Sequence, residues 1–122
     1  MYRVSKRMEI SAMHRLKLDY ESPCTNNHGH NWIITIFVQS KELNSSGMVI
    51  DFKHIKQLIH NKLDHKNLNE IFDFNPTAEN IAGWIRDEVD SFLIRNAIGR
   101  NTKCVKVTVQ ESEGNIAEWS ID

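Results

Sequence analysis

Cysteine, long apolar runs and an excess of charge of one sign are all lacking in this 122-residue chain. Two cysteines, Cys24 and Cys104, are too few for a disulfide scaffold. No apolar run approaches the roughly 20 residues that a membrane-spanning helix needs. The chain has 15 basic and 16 acidic residues, for a formal net charge of −1. That balance gives no reason to expect a nucleic acid or an anionic membrane as the main partner.

The N-terminal segment also lacks the apolar core of a signal peptide, because it carries Arg3, Lys6, Arg7 and Glu9. We therefore expect a cytoplasmic protein, whose cysteines stay reduced as thiols. The chain has no evident internal repeat, low-complexity tract or long linker. Its length suits one domain with one core, which we place at residues 1–122.

Hydrophobic periodicity predicts six main elements in the order β-β-α-α-β-β. Period-two alternation predicts strands at residues 2–14, 30–39, 103–111 and 116–121. Helical spacing predicts one helix after Asp51 and another after Thr77, and both residues are good N-caps. Phe52 is assigned to the apolar stripe of the first helix, and a turn is predicted from Asn96 to Thr102.

This order of elements predicts the α+β class. Hairpins at both ends and a helix pair between them favour an antiparallel sheet with both helices on one face. The other sheet face is apolar in places, at Ile33 and Phe37. Association with other copies of the chain is the natural way to cover that face.

Two histidines separated by one glycine, His28 and His30, follow Cys24 by four and six residues. In an extended segment their side chains share one face of the strand. His14 ends the preceding strand, so a hairpin would bring all three imidazoles to one edge of the sheet. Three nitrogen ligands with an open fourth position are typical of catalytic zinc. A structural four-ligand site that includes Cys24, and a surface turn with solvated histidines, remain open at this point.

Other side chains in the pattern carry chemistry but have simpler explanations. Cys24 lies in a polar loop beside the candidate cation, which favours a reactive thiolate over a buried apolar side chain. Asp64 and His65 place a carboxylate next to an imidazole, although a solvated pair explains them too. Glu111 continues the apolar phase of its strand, so it lies in water at the strand end or is buried, where a carboxylate accepts two N–H donors from an amidine-like group. The helix dipole alone explains Glu79 in a first helical turn.

In combination, these motifs resemble the superfamily of 6-pyruvoyl-tetrahydropterin and 6-carboxytetrahydropterin synthases. The resemblance covers nearly the whole chain and rests on six segments in the order of the family: Ile10–His14, Cys24–His30, Gly47–Phe52, Leu63–Asn69, Pro76–Ala82 and Val107–Ser112. Ile10 and Met13 replace the Phe and second Ala that are usual in the family. Both replacements are apolar, so we expect local repacking only.

The resemblance implies the tunnelling fold (T-fold), in which subunits join their sheets into a barrel, usually as trimers stacked into hexamers. Active sites in this family lie between subunits, so the acid/base pair of one chain can serve the cysteine of its neighbour. The implied roles are zinc ligands at His14, His28 and His30, a catalytic cysteine at Cys24 with acid/base partners Asp64 and His65, a pterin anchor at Glu111, and a pterin pocket that includes Thr77 and Glu79.

The three residues between Cys24 and His28 resemble the bacterial queuosine-pathway branch of the family. The biopterin-pathway branch typically has a longer insertion there, and a third branch has glutamate in place of the cysteine. The resemblance thus implies Zn²⁺ as cofactor and 7,8-dihydroneopterin triphosphate as substrate, with carboxytetrahydropterin as product. The alternatives are triphosphate elimination to the pyruvoyl product, and a non-catalytic zinc-containing pterin-binding relative.

Overall fold

The computed structural model describes residues 1–96 and 101–122. Within these residues the strands are β1 (Tyr2–His14), β2 (His28–Ser40), β3 (Lys66–Asn67), β4 (Lys103–Ser112) and β5 (Asn115–Ser120). They form one sheet in the order β3-β1-β2-β4-β5. Every neighbouring pair is antiparallel except β3, which lies parallel to β1. The predicted turn from Asn96 to Thr102 falls largely outside the described residues.

The helical segments lie between β2 and β4. A continuous helical run over residues 52–63 consists of α1 (Phe52–Ile55), a π-helical turn (Lys56–His60) and α2 (Asn61–Leu63). The one-turn helix α3 (Leu68–Ile71) and the long helix α4 (Ala78–Arg95) follow. A separate 3-10 turn (Pro23–Thr25) lies in the loop after β1. Both predicted N-caps are confirmed. The Asp51 side chain accepts a hydrogen bond from the Lys53 N–H, and Thr77 accepts one from the Asn80 N–H.

One buried cluster joins the even-numbered face of β1 and β2 to the helices and to β4. Each large apolar side chain that is fully buried contributes about 1.5–3 kcal/mol relative to its exposed state. The α+β arrangement with the helices on one sheet face is therefore confirmed, and its core includes Met8, Ile10, Trp32, Ile34, Ile36, Ile55, Ile59, Ile81, Ile85, Val89, Val107 and Val109. On the opposite face, Ile33 and Phe37 are only partly buried, as predicted.

The structure corrects the prediction at three places. β2 begins at His28 rather than at residue 30, because its first residue pairs with His14 at the end of β1. The two-residue strand β3 and the single turn of α3 were not predicted, since elements this short show no hydrophobic period. Phe52 is 47% exposed. It begins the helical run beside Tyr2 and Met48, away from the core.

None of the described helices combines the length and the apolar composition that a membrane crossing requires.

Candidate active site

Three histidines meet where the end of β1 lies beside the start of β2. His14 is directly opposite His28 in the antiparallel ladder, and Ala12 is opposite His30. One ligand atom from each imidazole lies within 4.8 Å of those of the other two. The ring centroids are 4.6 Å apart for His14 and His28, and 4.8 Å apart for His28 and His30. The predicted convergence of the three imidazoles at one sheet edge is confirmed.

Backbone carbonyl groups orient two of these rings. His14 Nδ1 lies 2.8 Å from the Pro76 carbonyl oxygen, and His28 Nδ1 lies 2.7 Å from that of Asn26. Because a carbonyl only accepts, each Nδ1 carries a proton, and in the neutral ring the lone pair is then on Nε2. Among the described residues, His14 Nε2 and His30 Nε2 are buried without a hydrogen-bond partner. Imidazoles that bind metals are commonly held in this way, so the donor set fits a metal ion.

Burial favours the neutral, metal-binding form of His14 and His30. Burial is the main cause that lowers the pKa of His14 below the ordinary 6.5. The hydrogen bond to Pro76 opposes this shift, and the charge of His28 adds to it. Burial likewise lowers the pKa of His30, although the Glu111 carboxylate opposes the shift. Neutral imidazoles need no deprotonation to coordinate a metal near pH 7.

The Glu111 carboxylate lies against the same nitrogen atoms. Its Oε1 is 3.4 Å from His30 Nε2, and its Oε2 is 3.8 Å from His14 Nε2. Neutral Nε2 atoms and carboxylate oxygens are all acceptors, so positive charge between them makes this arrangement favourable. The sequence left open whether Glu111 lies in water or is buried. Its side chain is 25% exposed, which is intermediate between the two.

Glu111 also lines a cleft of about 480 Å³ together with Ala78, Glu79 and residues 114–118. Two of the three residues expected around a pterin are thus brought together here. The third, Thr77, uses its hydroxyl to cap α4. Its neighbour Pro76 supplies the carbonyl that orients His14, so the start of α4 links the histidine cluster to the cleft.

Cys24 lies in the 3-10 turn between β1 and β2 and is partly buried. Its N–H donates to Ser22 Oγ at 3.2 Å, and its carbonyl accepts from the Leu16 N–H at 2.8 Å. Among the described residues, the metal-compatible group contains the three histidines but not the Cys24 sulfur. This geometry favours the three-ligand hypothesis over the four-ligand one.

Asp64 and His65 are fastened to the outer edge of β1. Ser11 makes both connections: its N–H donates to Asp64 Oδ1 at 2.9 Å, and its carbonyl accepts from the His65 N–H at 2.7 Å. The Ser11 hydrogen bond is the main cause that lowers the pKa of Asp64 below 3.8, so the carboxylate is ionised near pH 7. Asp64 Oδ2 lies 3.5 Å from the His65 ring and 3.7 Å from that of His60.

The His65 side chain is 80% exposed, and its backbone has a left-handed φ of 58°. It lines a second cleft, of about 460 Å³, which also includes Met13, His30 and Asn31. Within residues 1–96 and 101–122, no hydrogen bond or ion pair connects Asp64 or His65 to Cys24. Among these residues, the His65 cleft and the Glu111 cleft share no lining residue, and His30, in the first, lies 3.4 Å from Glu111, in the second.

Sequence reasoning missed the groups that orient the predicted side chains. These are the Pro76 and Asn26 carbonyls behind the imidazoles and the Ser11 peptide behind Asp64. Every residue has a carbonyl and nearly every residue has an N–H, so residue type carries no signal for such partners. Only the tertiary arrangement selects them.

The two cysteines are expected to differ sharply in reactivity. Cys104 is 1% exposed, and burial, with a smaller contribution from Asp90, raises the pKa of its thiol to about 12. Since the thiolate is the nucleophile, iodoacetamide near neutral pH should modify Cys24 in the folded protein and reach Cys104 only after unfolding. Peptide mass mapping measures both sites, with Cys24→Ser as the control. Similar labelling of both sites in folded protein would contradict this expectation.

Comparison with known proteins adds independent findings. The family described as 6-pyruvoyl tetrahydropterin synthase matches residues 3–121. The 6-carboxy-5,6,7,8-tetrahydropterin synthase of Bacillus subtilis is 33% identical over 118 residues, covering 91% of this chain and 80% of the relative. The human 6-pyruvoyl tetrahydrobiopterin synthase is 31% identical over 135 residues, covering 95% of this chain and 89% of the human protein.

A solved structure of Caenorhabditis elegans 6-pyruvoyl tetrahydropterin synthase has the same fold. It superimposes with a TM-score of 0.75 at 24% identity, covering 99% of this chain and 96% of the other. The sheet-and-helix arrangement of this protein is therefore the T-fold. Because the family match spans almost the entire sequence, the chain belongs to the 6-pyruvoyl tetrahydropterin synthase family.

Proposed function

We propose that this protein is a 6-carboxy-5,6,7,8-tetrahydropterin synthase. It converts 7,8-dihydroneopterin triphosphate and water into 6-carboxytetrahydropterin, acetaldehyde and triphosphate. The observation that carries the proposal is the cluster of His14, His28 and His30, whose ligand atoms lie within 4.8 Å of one another beside the cleft lined by Glu111. The name of the Bacillus subtilis relative and the short Cys24–His28 spacing support this branch over the pyruvoyl-forming one.

In this proposal the Glu111 carboxylate binds the pterin ring. An aminopyrimidine edge presents two parallel N–H donors, which match the two oxygens of one carboxylate as a guanidinium does. Glu111 lies both in the cleft and within 3.4 Å of an imidazole, so a ring held there has its side chain near the histidines. Thr77 and Glu79 at the start of α4 complete the pocket in this proposal.

The three imidazoles suit zinc, which when bound supplies Lewis-acid polarisation of a side-chain hydroxyl of the substrate. Cys24, as thiolate, takes a proton from the adjacent side-chain carbon at Sγ. His65, oriented by Asp64, transfers protons between its ring nitrogen and the substrate while triphosphate leaves. Asp64 Oδ2, 3.5 Å from His65 Nε2, supplies that orientation.

We further propose that the active site forms between copies of the chain, in a homo-oligomer such as a trimer or hexamer. The His65 cleft and the Glu111 cleft share no lining residue in the part of the chain that the structure describes, which supports this arrangement, because Cys24 then needs the Asp64–His65 pair of a neighbour. The single buried cluster supports treating residues 1–122 as one domain. A cytoplasmic location would keep the Cys24 thiol reduced.

Product analysis tests the proposal directly. The zinc-loaded protein is incubated with 7,8-dihydroneopterin triphosphate, and the products are identified by mass spectrometry together with an assay for free acetaldehyde. Carboxytetrahydropterin and acetaldehyde in equal amounts are expected. A pyruvoyl-tetrahydropterin product without acetaldehyde would assign the protein to the other branch. Unchanged substrate would indicate a non-catalytic pterin-binding protein.

A further inference from the structure

Two asparagine side chains hold the chain that leaves β1. Asn69 Oδ1 accepts from the Arg15 N–H at 2.7 Å, and its Nδ2 donates to the Arg15 carbonyl at 3.0 Å. Asn75 makes the same pair of bonds to Lys17, at 2.9 and 3.1 Å. Each amide therefore satisfies both backbone groups of one residue, as a neighbouring strand would.

The residue between these two points faces the other way. The Leu16 N–H donates to the Cys24 carbonyl at 2.8 Å. Residues 15–17 thus bond to the two asparagines on one side and to Cys24 on the other, which is the alternation of an extended strand. β3 pairs with β1 only at Ala12 and Met13, and the two amides supply the corresponding hydrogen bonds to residues 15 and 17.

The second asparagine is also adjacent to a group that orients the metal cluster. Asn75 precedes Pro76, whose carbonyl lies 2.8 Å from His14 Nδ1. One dipeptide therefore sets both the ring of His14 and the backbone three residues later. This arrangement ties the position of Lys17, in the loop that leads to Cys24, to the position of the His14 ring.

We propose that Asn69 and Asn75 are positioning residues that place Cys24 relative to the histidine cluster through the backbone of residues 15–17. Neither side chain bonds to Cys24 itself, so both act through Leu16. The role rests on the proposed function, in which Cys24 transfers a proton. Displacement of a reacting group by about 1 Å can cost roughly 100-fold in rate, so an anchor of this kind controls turnover without touching the substrate.

The test compares Asn69→Ala, Asn75→Ala and the double variant with wild type. The readouts are kcat, KM, zinc content and the rate at which iodoacetamide modifies Cys24. In the double variant we expect kcat to fall by about 100-fold with KM changed by less than about threefold. We expect Cys24 to be alkylated about tenfold faster, because the freed loop exposes its thiol more often, while zinc content stays near that of wild type.

The matched control is Asn44→Ala. Asn44 also binds backbone from a loop, by accepting the N–H groups of Ser46 and Met48, but it contacts neither residues 15–17 nor Cys24. Its variant should keep wild-type kcat and Cys24 alkylation. Asn69→Asp and Asn75→Asp keep the acceptor and lose the donor, so both should give intermediate alkylation rates and a smaller loss of kcat.

Two results would overturn the proposal. One is unchanged Cys24 alkylation and kcat in the folded double variant, or in the single variants if the double variant does not fold. The other is a loss of kcat that parallels a loss of zinc or of folded protein. If wild-type protein does not turn over the pterin triphosphate, the proposed function fails, and the alkylation rates still decide the positioning role by themselves.

Discussion

Replacement of Cys24 by Ala should reduce kcat by about 1,000-fold and leave the zinc content at its wild-type value. A positioned proton-transfer group contributes on the order of 10²–10⁴ to the rate, and no other thiol among the described residues can replace it because Cys104 is buried. Zinc should remain because the three imidazoles, without the Cys24 sulfur, form the metal-compatible group. Steady-state kinetics and elemental analysis of the same preparation measure both quantities.

Cys104→Ala is the matched control for that experiment. It removes the other thiol, which is buried near the start of β4, where the Cys104 N–H donates to Asp90 of α4, and should change stability rather than kcat. Loss of zinc from the Cys24 variant would revive the hypothesis of a four-ligand structural site. Full turnover with normal zinc would remove Cys24 from the proposed chemistry altogether.

Replacement of His28 by Ala should remove the metal and the activity together. His28 is the most suitable of the three ligands for this test, because it is only partly buried whereas His14 is fully buried. With one of three donors gone, we expect less than about one tenth of the wild-type zinc after dialysis, since even the loss of an outer partner costs 10–100-fold in affinity. Elemental analysis measures zinc, and product formation measures activity.

His54→Ala is the histidine control. Its ring lies 5.1 Å from that of Phe92, on the helical run rather than at the strand edge, so zinc content and kcat should remain unchanged. Full zinc in the His28 variant would show that the cluster is not the metal site. Equal zinc loss in both variants would show that the loss is not specific to the cluster.

Local patterns were sufficient for much of the fold and for part of the site. The phase of β1 placed His14 on the buried face, where it is 0% exposed, and the phase of β4 placed Glu111 in line with its buried valines. The two N-caps were found because capping depends on residues two or three positions apart. β3 and α3 were missed because two and four residues are too few to show a period.

The sequence by itself determined which imidazoles share a face and which residue types stand close to them, because side-chain direction along a strand is a local property. Only the tertiary structure decided the rest. It paired His14 with His28, aimed the Pro76 carbonyl at His14 across 62 positions of sequence, and put Asp64 on Ser11 at the opposite edge of β1. These contacts join distant segments through backbone groups that every residue shares, so only packing of the whole chain selects them.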